Sequence, residues 1–281
     1  MFYELINSNN TTGLHILVHT KAKDKGSMMK SSKSFLLFGA LLAGMAGGIP
    51  AYGTSSHHGI ASDAGKTLTG VNAPFDIVRT TITTEGNVAT FQMAVSGRAG
   101  ETKPAATGKL AGSTVFSYVW PTSLDPSVVG FAPKAGILAF AVTAHPDFDD
   151  TPLFDENGDG KLDNDGDLWH SHWVVLQPDA ACGKDALKVV DIPDGSKPSL
   201  PKTWPGLPIL IDSPGWAPVF NAQTVAVRVP FDDIGVIKAG SFDGVTAALR
   251  VNASMHTPLL CVANVFKVAS GDLSLPGKVN Q

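Results

Sequence analysis

The sequence predicts an all-β fold, an antiparallel β-sandwich with long Gly/Pro-rich loops. Three observations lead there. Strand-sized apolar runs recur, each bounded by turn residues. No stretch longer than about eight residues keeps a 3.6-residue period with helix caps. The 29 glycines and 19 prolines among 281 residues favour many turns over long helices. Short strands with Gly/Pro turns build a sandwich or a barrel; the sandwich is the expectation. The chain is 43% hydrophobic, which excludes disorder as its main state. Its formal net charge is −4 and it has no Lys/Arg run, which argues against a nucleic-acid partner.

The elements follow in order. The run 75–83 leads into Glu85-Gly86-Asn87, a turn, and then into 88–96. There Phe91, Met93 and Val95 fall on one face and Gln92, Ala94 and Ser96 on the other, the period of a strand in a hairpin. Strands are expected at 115–120, 137–145, 168–176, 187–192 and 208–212. Val225, Val227 and Val229 alternate with Ala226 and Arg228; Val245, Ala247, Leu249 and Val251 alternate with Thr246, Ala248 and Arg250. The last strand is 259–268. The proline-rich segment 183–218 reads as mostly irregular surface loop.

The N-terminal region reads as an export signal. A short basic stretch, 28–34, precedes an apolar run, 35–49, and then Pro50-Ala51-Tyr52-Gly53. This is the order of a secretory signal peptide, here 28–53, with cleavage after Ala51 or Gly53. The apolar run is shorter than the roughly 20 residues a membrane span needs, so no integral membrane segment is expected after processing. Residues 1–27 read as an upstream extension, 54–73 (with His57 and His58) as a flexible mature N-terminus, and 74–281 as one domain. The expected location is periplasmic or secreted. In such a compartment the two cysteines, Cys182 and Cys261, are most simply one disulfide.

The strongest chemical signal is the acidic loop 155–167. Asp155, Asn157 and Asp159 supply alternate oxygen donors, Gly160 permits a sharp turn, Lys161 offers its carbonyl, and Asp163 follows. This spacing resembles an EF-hand or dockerin calcium loop. The twelfth position, where that pattern has a bidentate carboxylate, is Gly166, flanked by Asp165 and Asp167, so the closing ligand is one of those two. Nine acidic residues and one lysine lie in 147–167. Crowding so many carboxylates without a cation is costly, and Ca2+ is the expected ion.

A second metal site is expected beside that loop. His145 ends one strand, and His170-Ser171-His172 begins the next. If the two strands pair antiparallel, His145 approaches His170, while His170 and His172 share one face and Trp169, Ser171 and Trp173 occupy the other. Three imidazoles suit Cu, Zn or Fe, and Asp147 or Asp149 could ligate or orient them.

Nucleophile-elbow, zinc-protease and phosphate-loop patterns are absent. The opening hairpin, with Gly86-Asn87 and a Phe91-x-Met93-x-Val95 strand running into Ser96-Gly97-Arg98-Ala99-Gly100, resembles the start of DOMON-type sandwiches. That resemblance, over the hairpin alone, implies an immunoglobulin-like or DOMON-like sandwich and a haem- or carbohydrate-binding role, with Met255 or His256 as axial ligand. The residues themselves favour an exported, non-enzymatic metal-binding protein; an enzyme acting on an exported substrate is a third reading. N-terminal sequencing of protein from the native host should find a mature chain beginning near Tyr52 or Thr54. An intact Met1 in the cytoplasm would contradict export.

Overall fold

A computed structural model describes residues 59–61, 72–105, 111–145, 159–161, 167–199, 208–212 and 214–281. The expected signal peptide lies outside these residues. Along the chain run β1 (Ile60–Ala61), β2 (Ile77–Glu85), β3 (Val88–Val95), β4 (Thr114–Pro121), β5 (Ile137–Ala144), β6 (His170–Pro178), β7 (Leu187–Val189) and β8 (Ile211–Asp212). Then come β9 (Val219–Asn221), β10 (Thr224–Pro230), a short helix α1 (Ile234–Ala239), β11 (Ser241–Phe242), β12 (Val245–Val251), β13 (Leu260–Val268) and β14 (Gly277–Lys278). Among the described residues no helix is long and apolar enough to cross a membrane.

The all-β, antiparallel class holds. One sheet has the order β1-β2-β3-β10-β9. Its β2–β3 hairpin turns through Gly86-Asn87, with Gly86 at φ +57°, a left-handed conformation that glycine adopts without steric cost. Phe91, Met93 and Val95 are buried and Gln92 is exposed, as the alternation predicts. Val225, Val227 and Val229 repeat the pattern on β10. Ile60–Ala61, within the segment expected to be flexible, pairs with β2 at the sheet's edge.

The second sheet departs from the expected sandwich. Its order is β5-β4-β12-β13-β7-β6-β8, and β5 also pairs with β6. Six strands therefore close on themselves, and barrel-like closure is not a sandwich. The physical reason is that the inward and outward faces of these strands are both apolar. On β12, Val245, Ala247, Leu249 and Val251 face the barrel interior with Val119, Ala141, Val174 and Val189. On the outer side, Tyr118, Trp120, Phe140 and Trp173 pack with Phe91, Met93, Val225 and Val227 of the five-stranded sheet. The ring of Phe91 meets Phe140 at 4.7 Å, Trp173 at 5.8 Å and Trp120 at 5.9 Å. Each such fully buried side chain contributes roughly 1.5–3 kcal/mol. The five-stranded sheet thus covers one wall of the barrel, and two cores result.

Polar ties fix the loops to these layers. The buried Tyr118 hydroxyl donates to the Pro74 carbonyl at 2.9 Å and accepts from the Gly100 amide at 2.8 Å. Burial pushes its pKa up to about 12. Asp233 caps α1 through the Gly235 amide, and Ile237 anchors that helix in the outer core.

The weakest seam of the barrel is between β13 and β7, a single ladder pair, Cys261 opposite Lys188. The disulfide Cys182–Cys261 lies at that seam and spans 79 residues of sequence. Lys188 adds ion pairs to Asp179 at 3.1 Å and Asp191 at 3.4 Å. Asp179 also caps the 3₁₀ turn Ala180–Cys182 that carries the first cysteine. Closing a loop of about 80 residues stabilises by on the order of 4 kcal/mol in the chain-entropy account. Reduction, or the double substitution Cys182→Ser/Cys261→Ser, should therefore lower the thermal midpoint by several degrees. An unchanged melting curve would show that the seam holds without the staple.

Candidate metal centre

Strands β5 and β6 pair antiparallel, with Thr143 opposite His170 and Ala141 opposite His172. Alternation along these strands places His145, Thr143 and Ala141 on one face, with His170, His172 and Val174 beside them. That face is the barrel interior, since Ala141, Thr143, His172 and Val174 all line its cavity. On the opposite face Trp173 is buried in the outer core and Trp169 packs against it. The Trp169 indole donates to the Gly100 carbonyl at 2.9 Å, and the Ser171 hydroxyl donates to the Trp216 carbonyl at 2.7 Å.

His145 approaches His170 as the strand pairing predicts, and His172 lies beside His170. His145, His170 and His172 are 2%, 4% and 1% exposed. The Nε2 atoms of His145 and His170 stand 3.3 Å apart. Ring centroids are 5.0 Å apart for His145–His170 and 4.6 Å for His170–His172. The Nδ1–H of His170 donates to the Leu168 carbonyl at 2.7 Å. A carbonyl only accepts, so Nδ1 carries the proton, and in the neutral ring Nε2 presents its lone pair towards His145. Among the described residues no three His, Cys, Asp or Glu donors already surround one point. The close convergence is that of the His145–His170 pair, with His172 alongside.

Much of the acidic loop, including Asp155, Asn157, Asp163 and Asp165, lies outside the described residues, as do Asp147 and Asp149. Asp159 Oδ1 accepts from the Lys161 amide at 2.8 Å, and Gly160 has φ +85°. At the loop's end Asp167 is 3.6 Å from Lys103 Nζ. Of the candidate axial ligands, Met255 is 52% exposed, and His256 Nε2 is 3.1 Å from Asp194 Oδ1.

The structure adds two features that carry no sequence signal. The barrel interior holds a cavity of about 220 Å³. Its walls use residues that any apolar strand would carry. The other is Asp212 on β8, opposite Trp173 and only 6% exposed. It ends the expected strand 208–212, in which nothing marks its carboxylate as buried. Among the described residues Asp212 Oδ1 and Trp173 Nε1 both lack a hydrogen-bond partner.

Burial pushes the Asp212 carboxyl from 3.8 up to about 6. The folded chain then holds this proton more tightly than the unfolded chain does. The group's contribution is greatest below about pH 4 and is lost as pH rises through about 6. Asp212→Asn should therefore be more stable than the parent at pH 7, by roughly 1 kcal/mol or more, with the difference gone at pH 4. Equal melting temperatures at pH 7 would show that water or a neighbour already compensates the charge.

No family model matches the chain, and no curated protein or solved structure matches it at a significant level.

Proposed function

We propose that this is an exported, non-enzymatic metal-binding protein. In this reading His145, His170 and His172 hold Cu, Zn or Fe, and the acidic loop between β5 and β6 holds calcium. The observation that carries it is the 3.3 Å separation of the His145 and His170 Nε2 atoms. Two nitrogens bound to one tetrahedral ion at about 2.0–2.1 Å stand roughly 3.3–3.4 Å apart. The bond from His170 Nδ1 to the Leu168 carbonyl supports the same reading, because ligating imidazoles habitually donate their other N–H to a carbonyl or carboxylate. His172, whose ring lies 4.6 Å from that of His170, would supply a third nitrogen. For calcium, the support is the donor spacing of Asp155, Asn157, Asp159, Lys161 and Asp163, with the turn at Gly160. Asp165 and Asp167 are the candidates to complete that shell.

The loop connects the two histidine strands, so the two ions are coupled in this reading. Calcium fixes the connection between β5 and β6, and the transition ion ties their ends together. Metal analysis of purified protein should find one transition ion per chain. Adding it to stripped protein at about a hundredfold excess over Kd should raise stability by about 2.7 kcal/mol. His170→Ala and His172→Ala should each weaken binding at least tenfold, and calcium chelation should weaken it in the parent. Absence of retained metal, together with a thermal midpoint that ignores added Cu, Zn and Fe, would overturn the transition-metal site. A midpoint indifferent to chelator would overturn the calcium loop.

A further inference from the structure

Small β-barrels ordinarily fill their interiors with side chains. This one leaves a cavity of about 220 Å³. The space arises from residue choice at facing positions. Across the ladder, Thr143 of β5 stands opposite Ser117 of β4, which stands opposite Ala247 of β12. In the neighbouring row Ala141 stands opposite Val119, and Val119 opposite Val245. Alanine, serine and threonine at the centre of these rows are too short to meet across the barrel. Val265 both lines the cavity and is 48% exposed, so the interior is approachable along β13.

A second observation shows what the space would accept. Thr143 lines the cavity, is 8% exposed, and its hydroxyl has no hydrogen-bond partner among the described residues. Buried polar groups ordinarily have one. Ser117, the ladder partner of Thr143, directs its own proton to the Ala247 carbonyl at 3.0 Å and makes no bond to Thr143. Apart from Ser117 and His172 the rest of the lining is aliphatic, which suits an apolar occupant better than water.

We propose that the barrel interior binds a small apolar molecule bearing one hydroxyl head group. Its body lies against the alanine and valine walls, and its head hydrogen-bonds to Thr143 Oγ1. An apolar cavity of about 150 Å³ takes one benzene ring, so a two-ring aromatic alcohol is the size class here. The site requires no metal and does not rest on the histidine reading.

The test compares 2-naphthol with naphthalene by fluorescence titration of chelator-treated protein. Both should bind saturably, with 2-naphthol about five- to tenfold tighter, the effect of one hydrogen bond. Thr143→Val should remove that preference and leave naphthalene affinity unchanged. Ala247→Phe should fill the cavity and abolish both. If that variant does not fold, Ala247→Val should weaken both probes by a measurable factor. No saturable binding to the parent overturns the proposal, as does a preference that survives Thr143→Val. Unchanged binding by a folded Ala247 variant also overturns it. Because the protein is metal-free throughout, these outcomes are separate from those of the metal titration.

Discussion

The register between β5 and β6, with Thr143 opposite His170 and Ala141 opposite His172, is the constraint on which the rest depends. It is the pairing that closes the second sheet, because β5 and β6 are otherwise separated by four intervening strands in the sheet order. It also decides which face each residue occupies. A slip of one residue would exchange the two faces of β6. Trp173 would enter the barrel interior, and His170 and His172 would be driven into the aromatic layer formed by Phe91 and Phe140. The exchange is opposed by packing: it would strip Trp173 from its ring contacts with Phe91 and Phe140 and put imidazoles into that apolar layer instead. Two apolar cores of different character, one aliphatic and one aromatic, therefore hold one register between them.

Closure has a weak point on the far side. Between β13 and β7 the ladder is one residue pair, and a strand as short as β7 brings little burial of its own. The Cys182–Cys261 disulfide and the Lys188 ion pairs concentrate there. Partly exposed ion pairs of this kind are worth little alone, so the covalent bond carries the seam. The same seam borders β7 and β8, which pair with β6 over only three and two residues. The staple thus sits where the described ladder is thinnest.

What could be read from the sequence and what could not follows from the range of each interaction. The alternation of Phe91, Met93 and Val95 is local and half-buried, so it showed on the page and holds in the structure. The disulfide was legible because only two cysteines exist. The meeting of His145 with His170 was legible because one loop joins their strands, which makes antiparallel pairing the simplest connection. Barrel closure was not, because an open sandwich and a closed barrel use the same alternating strands and differ only in which distant edges meet. The cavity was invisible for a related reason: Ala141, Ser117 and Ala247 are unremarkable singly and leave a void only when the register sets their rows side by side. Asp212 falls in the expected strand 208–212, but its burial depends on that strand's pairing with β6, which no local pattern reveals.

The imidazole pair and the cavity belong to one surface, and their adjacency has an electrostatic consequence. His172 lines the cavity, and its ring lies 4.6 Å from that of His170. A cation on the proposed nitrogens would sit beside an aliphatic interior. There, its field is far less screened than it would be at a solvated surface. A neutral molecule in the interior with its oxygen directed to Thr143 would then have its dipole aligned by that field, since Thr143 is the ladder partner of His170. A charged ligand would face the desolvation cost of the same aliphatic walls. The two proposed occupants would accordingly be compatible, a positively charged ion at the histidines and an uncharged, largely apolar molecule in the barrel. That compatibility would come from the alternation of the β5 and β6 side chains and would require no moving part.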